Sequence, residues 1–365
     1  MTNSVAASIG ADVASFDQKR VANPEAQKLE SYPHLDWLRF ILASLVALGH
    51  QGLPDIGPVD GALAVDVFLA LSGWLIGGIL LRSKPSDMPR FFFNRATRIW
   101  IPYAFAVAAV YLLAAVRDGV SRDWFEFLFY DVTFTHYNFV HFAGNMLRLP
   151  LGGTGNHFWS LSVEEQFYLF APLIMLTFAK GRAWWTWGTV FVVMAALDLR
   201  FAPIALGVTA AVLHRQYGAW HAQGWGRAAV IACCCLFFAA MFWSNGTFVR
   251  ALFSTALVLC LATKGRRRRS WLLLGAVSYP LYLNHWIGSF IANKVAEKAH
   301  MPTVPHIVLA YTTAVLVGFV AWALVDRQVL AHRAEWYTPI VGERLAITAY
   351  ALFALGVTGG LAATL

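Results

Sequence analysis

Arg39 and His50 stand eleven residues apart in one apolar stretch running from Leu35 to His50. On a helix, eleven residues return almost to the starting face, and the rise separates the two side chains by roughly 16 Å. If the stretch spans a bilayer, a guanidinium near one surface lies below an imidazole about half a membrane away. Ionisable groups at that depth are costly, and they mark functional sites by default. A guanidinium binds anions through a planar fork, and an imidazole can accept a proton near neutral pH. The competing structural reading has Arg39 snorkelling to the headgroups and His50 capping a helix end.

Four further groups could join this pair. Asp66 lies within the apolar run Gly61–Ile76 and, as a buried carboxylate, needs a partner such as His50 or an arginine; Ser72 and Gly73 follow, where small residues allow close helix contact. Arg95 and Arg98 are three residues apart and project side by side from a helix, just before Pro102. Two adjacent forks suit a polyphosphate, although inner-loop charge of the ordinary kind would look the same. Glu164 and Glu165 follow the Trp159-Ser160 pair; neighbours in sequence cannot share a helix face, so only one of the two can address a given site. Last, Ser278, Tyr279, Asn284 and His285 lend polar edges to a segment broken by Pro280, where Tyr279 and Tyr282 are equally suited to an interfacial aromatic belt.

The elements that must carry these residues follow from composition. With 58% hydrophobic and 13% charged residues, the chain is too apolar for a soluble domain of 365 residues. Apolar runs near 35–53, 61–81, 99–116, 158–179, 184–199, 201–214, 227–243, 248–263, 271–292, 304–325 and 345–364 predict an all-α polytopic bundle. The division within 184–214 is the least distinct, because Asp198, Arg200 and Pro203 interrupt it. Placing the N-terminus in the cytoplasm puts 20 of the 28 Lys and Arg in the tail and inner loops, which sets the orientation. Residues 1–31 read as a polar cytoplasmic tail without the apolar core of a signal peptide. The aromatic segment within 117–157 carries Asp, Glu and His, and fits an interfacial or re-entrant element over an outward-facing cavity. Cys233, Cys234, Cys235 and Cys260 sit in apolar runs; three consecutive thiols cannot converge on one metal from a helix, so no metal is expected. The basic run from Lys264 to Arg269 precedes a span and points to anionic lipid headgroups, not nucleic acid.

Taken in order, these motifs resemble the integral-membrane acyltransferase-3 family, which acylates carbohydrates and related cell-surface molecules. Arg39 followed by ten residues and His50 looks like its opening motif, Arg95-Ala-Thr-Arg98 like its Arg-x-x-Arg motif, and Gly61–Ile76 like its second-span pattern. The stretch Trp159-Ser-Leu-Ser-Val-Glu-Glu-Gln-Phe-Tyr168 and the late Ser278–His285 stretch are similar to two more. The resemblance implies about ten core spans over 32–335, with 336–365 an additional C-terminal span. It implies an acyl-CoA donor, acetyl-CoA foremost, on the cytoplasmic side, and a carbohydrate or glycolipid acceptor handled outside a bacterial inner membrane. By the same resemblance His50 is catalytic, Arg95 and Arg98 meet the CoA phosphates, and Arg39 helps place the donor. Trp159, Ser160, Tyr279 and His285 are then candidate substrate contacts. Asp326 stands where many relatives carry Glu before Pro, and its role is left open.

The chemistry required is consistent with this. Acyl transfer from a thioester to a hydroxyl needs a base, charge stabilisation at the tetrahedral oxygen, and alignment. His50 is the natural base, and Asp66 or Glu164 could hold its tautomer. No Gly-x-Ser-x-Gly elbow or Cys–His pair supplies a nucleophile, which favours direct transfer. The alternative is a proton-coupled transporter that relays protons through His50, Asp66 and Glu164.

Overall fold

The structure is a computed structural model that describes residues 32–141, 148–266 and 268–364. The polar tail expected at 1–31 lies outside the described residues. Each of the eleven apolar runs carries a helix, and α4 and α12 lie between runs: α1 Pro33–Gly49, α2 Gly61–Leu80, α3 Met88–Asp118, α4 Arg122–Val132, α5 Trp159–Thr177, α6 Trp184–Ala196, α7 Ala202–Tyr217, α8 Gly224–Ala240, α9 Thr247–Leu261, α10 Arg269–Lys298, α11 Thr303–Ala321, α12 Arg327–Trp336 and α13 Pro339–Thr364. No strand occurs among the described residues; the loop after α1 holds a single isolated bridge, Ile56 to Val59.

Among the described residues, four helical segments are long and apolar enough to cross a membrane by themselves: Gly61–Leu80, Pro85–Asp118, Thr303–Trp336 and Pro339–Ala363. Several others are shorter; α6, at 13 residues, reaches only about 20 Å. The ambiguous stretch 184–214 is thus two helices. Pro203 opens the second, and Asp198 at the break takes a positive φ of 53° while accepting a hydrogen bond from Thr247.

α3 differs from expectation. It begins at Met88, so Arg95, Arg98 and Pro102 share one 31-residue helix. Pro102 removes one backbone donor from that helix, and in the turn before it the Ile99 carbonyl accepts from the Tyr279 hydroxyl at 3.2 Å. α10 is thereby tied to α3 at the proline.

α2 lies at the centre, with most of its residues buried. It crosses α7 at two glycines: a Cβ on Gly73 would come within 2.1 Å of the Ile204 carbonyl oxygen, and one on Gly207 within 2.2 Å of the Ala70 carbonyl oxygen. Backbone contact this close is how apolar helices associate where the hydrophobic effect contributes little. α10 meets α1 and α11 in the same manner, at Gly275 against Asp36 and at Gly288 against Ala314. α1 and α10 are the two helices that carry His50 and His285.

The C-terminal helix α13, for which the motifs offer no reason, packs its own glycines against the protein. Gly342 abuts Pro89, Gly356 abuts Thr133 and Thr135, and Tyr350 donates to the Leu169 carbonyl at 2.8 Å. It therefore braces α3, α5 and the segment after α4. That segment buries its polar groups internally: His136 Nδ1 meets Asp131 Oδ1 at 2.7 Å, and Tyr111 donates to Asp131 Oδ2 at 2.6 Å.

Candidate active site

His50 caps the C-terminal end of α1 and is open to solvent on one side. Its Nδ1 lies 2.9 Å from Nε2 of His285, which is fully buried. The opposite nitrogen of His285, Nδ1, lies 2.8 Å from the Tyr282 carbonyl oxygen. A carbonyl can only accept, so His285 Nδ1 carries the proton and His285 Nε2 presents a lone pair. His50 Nδ1–H must then donate to it. The network thus assigns both tautomers and leaves His50 Nε2 as an uncommitted lone pair. Neutral His285 takes the place a carboxylate holds in a catalytic triad: it fixes the ring and accepts from the imidazolium when His50 is protonated.

Four further side chains close around this pair. The His157 ring lies 5.0 Å from that of His285, with Nε2 and Nδ1 each 3.2 Å from a backbone carbonyl oxygen, those of Leu283 and Thr154. Tyr282 donates to the His157 carbonyl at 2.9 Å, and its hydroxyl is 2.5 Å from Ser160 Oγ. The indole of Trp286 stacks on His50, with centroids 5.0 Å apart and planes 27° from parallel. Beside them, Gln51 Nε2 donates to Ser289 Oγ at 2.5 Å.

A second cluster lies toward the other end of the bundle. Arg39 makes a 3.5 Å ion pair with Asp36 and lies within electrostatic reach of Arg98 and Glu164. The Arg95 guanidinium stands over the Tyr168 ring at 5.8 Å. Glu164 Oε1 accepts from Ser72 Oγ at 2.5 Å and from the Tyr168 hydroxyl. Arg98 opens into a cavity of about 40 Å³ that it shares with Thr97, Pro102, Tyr279 and Asp326. Neither Arg95 nor Arg98 is ion-paired with a described carboxylate, and two unpaired guanidiniums beside a cavity are suited to receive an anion.

The expected residues therefore fall into three places. His50, His285 and Ser160 come together around one tautomeric relay. Arg39, Arg95, Arg98 and Glu164 form the second cluster, where Arg98 and Tyr279 line the cavity. Asp66 joins neither group: Arg250 Nε reaches its Oδ2 at 2.7 Å, and Arg200 Nη1 reaches both its oxygens at 3.1–3.2 Å. Arg250 continues to Asp60, which caps α2 through the Leu63 amide. With its lone pairs bonded to two guanidiniums, Asp66 does not hold the His50 tautomer as the sequence reading allowed, and Glu164 does not either. That task falls to His285, expected only as a substrate contact. Trp159 stands beside this latch, 5.9 Å under the Arg200 guanidinium and 5.8 Å from the Tyr137 ring.

Several participants were missed. His157 and Trp286 directly flank the motif residues but carry no spacing signal of their own. Asp326 reaches the cavity through a π-helical turn, Trp322–Asp326, which periodicity does not reveal. Glu165 faces away from Glu164, as adjacent carboxylates must, and accepts from Trp100 Nε1 at 2.8 Å. Among the described residues no group of His, Cys, Asp and Glu is arranged to hold a metal ion, and all four cysteines are free.

The chain is 28% identical to a protein of Komagataeibacter xylinus named as a membrane-bound transacylase, over 71% of this chain and 73% of that one. It is 29% identical to the peptidoglycan O-acetyltransferase OatA of Listeria monocytogenes over 40% of this chain, a match spanning a quarter of that protein's length. A Staphylococcus aureus protein named as an O-acetyltransferase is 28% identical over 41% of the chain and 26% of its own length. No solved structure matches. None of these matches supports the transporter alternative. The sequence profile described as an acyltransferase domain covers residues 32–323, which hold the His50 cluster and the arginine cluster apart from Asp326, and the chain belongs to that membrane acyltransferase family.

Proposed function

We propose that the protein moves an acyl group, acetyl foremost, from cytoplasmic acyl-CoA to a hydroxyl of a cell-envelope carbohydrate or glycolipid, across a bacterial inner membrane. In this reading the N-terminus is cytoplasmic, about ten spans form the core, and α13 is an additional span. The carrying observation is the uncommitted Nε2 of His50, held by His285 on the same helix as Arg39 and roughly 16 Å from it.

CoA phosphates dock on Arg95 and Arg98 at the inner mouth, with Arg39 placing the donor and Glu164 holding the cluster in register through Ser72 and Tyr168. The extended pantetheine arm then carries the thioester along α1 toward His50. The acceptor hydroxyl approaches from the outer side, past Ser160 and Trp159. His50 Nε2 takes the hydroxyl proton as the oxygen bonds to the thioester carbonyl carbon. The tetrahedral intermediate collapses with cleavage of the C–S bond, and the departing thiolate takes the proton back from His50. His285 accepts a hydrogen bond from the imidazolium throughout. No step requires a covalent acyl-enzyme. The peptidoglycan substrate in the name of the Listeria relative supports a glycan acceptor.

Sidedness provides the test. Inside-out and right-side-out membrane vesicles of the source strain receive [14C]acetyl-CoA, and alkali-labile label on envelope glycan is counted. Label confined to inside-out vesicles is expected. Equal label in both preparations, or none in either, would contradict the scheme.

A further inference from the structure

The ring nitrogens of the outer cluster can be accounted for one by one. His285 meets Tyr282 and His50, and His157 meets Thr154 and Leu283. Neutral His157 can donate to only one of those carbonyls, so its other nitrogen is a lone pair facing a carbonyl; beyond it two groups are uncommitted: the lone pair on His50 Nε2, and the N–H of Trp286, which is buried without a hydrogen-bond partner. An indole nitrogen can only donate, and a buried donor without an acceptor is destabilising unless something else supplies one. The two uncommitted groups sit on rings stacked 5.0 Å apart, one ready to take a proton and the other to give a hydrogen bond.

We infer that Trp286 Nε1–H is the oxyanion donor of this site. The inference rests on the reading of His50 as the base. As the hydroxyl oxygen bonds to the thioester carbon, the carbonyl π pair moves onto its oxygen, and Trp286 Nε1–H holds that charge. On collapse the pair returns to re-form the carbonyl, and the C–S bond breaks with the thiolate protonated by His50. Base and donor must each reach their atom at about 3 Å from opposite sides of one tetrahedral carbon. The 5.0 Å stack brings base and donor to one place, and Trp286 Nε1, enclosed in the free protein, is uncovered as the donor thioester enters beside it. The neighbouring residue, His285, fixes the base, so consecutive positions of α10 serve both halves of the reaction.

Two replacements remove the N–H while keeping the ring against His50: Trp286→Phe, and benzothienylalanine introduced at position 286 by amber suppression, which preserves the bicyclic shape. Inside-out vesicles carrying each variant are assayed with [14C]acetyl-CoA. A kcat loss of about 10²–10³-fold is expected, the size found for removal of one oxyanion donor, with the donor KM and the midpoint of the pH–rate profile unchanged. A kcat within threefold of the unsubstituted enzyme overturns the assignment, as does a loss confined to KM. If Trp286→Phe does not accumulate in the membrane, the benzothienyl variant decides alone. Absence of label with the unsubstituted enzyme would instead remove the acyl-transfer reading itself, a distinct outcome.

Discussion

Two charge-rich regions of this molecule have opposite structures. Around Asp66 every charge is matched: Arg250 and Arg200 converge on Asp66, and Arg250 bridges to Asp60 at 2.6 Å. Asp66 is 1% exposed and Arg250 5%. Around the cavity, Arg95 and Arg98 have no described carboxylate within ion-pairing distance, and Arg98 is open. Charges that neutralise each other hold α2, α7 and α9 in place, and their removal should be felt as lost stability. Cations without a close ion pair contribute less to the resting fold, and in the proposed reading they are the ones that receive the donor's phosphates. A buried carboxylate and an arginine pair look equally functional as sequence; their partners separate them.

The comparison can be broken most decisively at Asp66. Asp66→Ala leaves two guanidiniums facing a low-dielectric interior, and a cost of about 3–5 kcal/mol is expected. Thermal unfolding of the detergent-solubilised protein should show a clear drop in midpoint, and turnover per folded molecule should be preserved. An Asp66→Ala protein with normal stability but no turnover would make Asp66 catalytic after all. At the cavity the expected pattern is reversed. Joint replacement Arg95→Ala with Arg98→Ala should raise the acetyl-CoA KM by about 10²–10⁴-fold, since two hydrogen bonds to charged groups are lost at roughly 1.5–3 kcal/mol each. The thermal midpoint should not fall; if it falls while KM stays constant, the arginines are structural. Arg98→Lys sharpens the point with the smallest effect: the charge stays and the planar fork is lost, so KM should rise by only a few-fold.

Legibility in the sequence followed the same division. Helix positions were readable because apolar runs of this length have few alternatives, and α6 and α7 were separable once Pro203 was recognised as a helix start. The Arg39–His50 pair was readable because helical periodicity converts spacing into a shared face. The partner of His50 was not, because His285 lies 235 residues away and nothing local reports a tertiary contact. Carboxylates nearer in sequence looked the better choice, yet Asp66 and Glu164 are occupied by arginines and by Ser72 with Tyr168. Asp326 was singled out with its role open, and its place in the cavity was hidden because a π-helical turn shifts its register. Trp286 escaped because an unsatisfied donor is visible only when every neighbour's hydrogen bonds have been placed.

The central claim is that the lone pair on His50 Nε2 initiates transfer, and His50→Ala tests it most directly. Inside-out vesicles containing equal amounts of folded unsubstituted and His50→Ala protein would receive [14C]acetyl-CoA, and ester-bound label would be followed over time. Loss of a positioned base should slow incorporation by about 10²–10⁴-fold, with donor affinity retained through Arg95 and Arg98. Incorporation by the His50→Ala protein at more than a tenth of the unsubstituted rate would contradict the account.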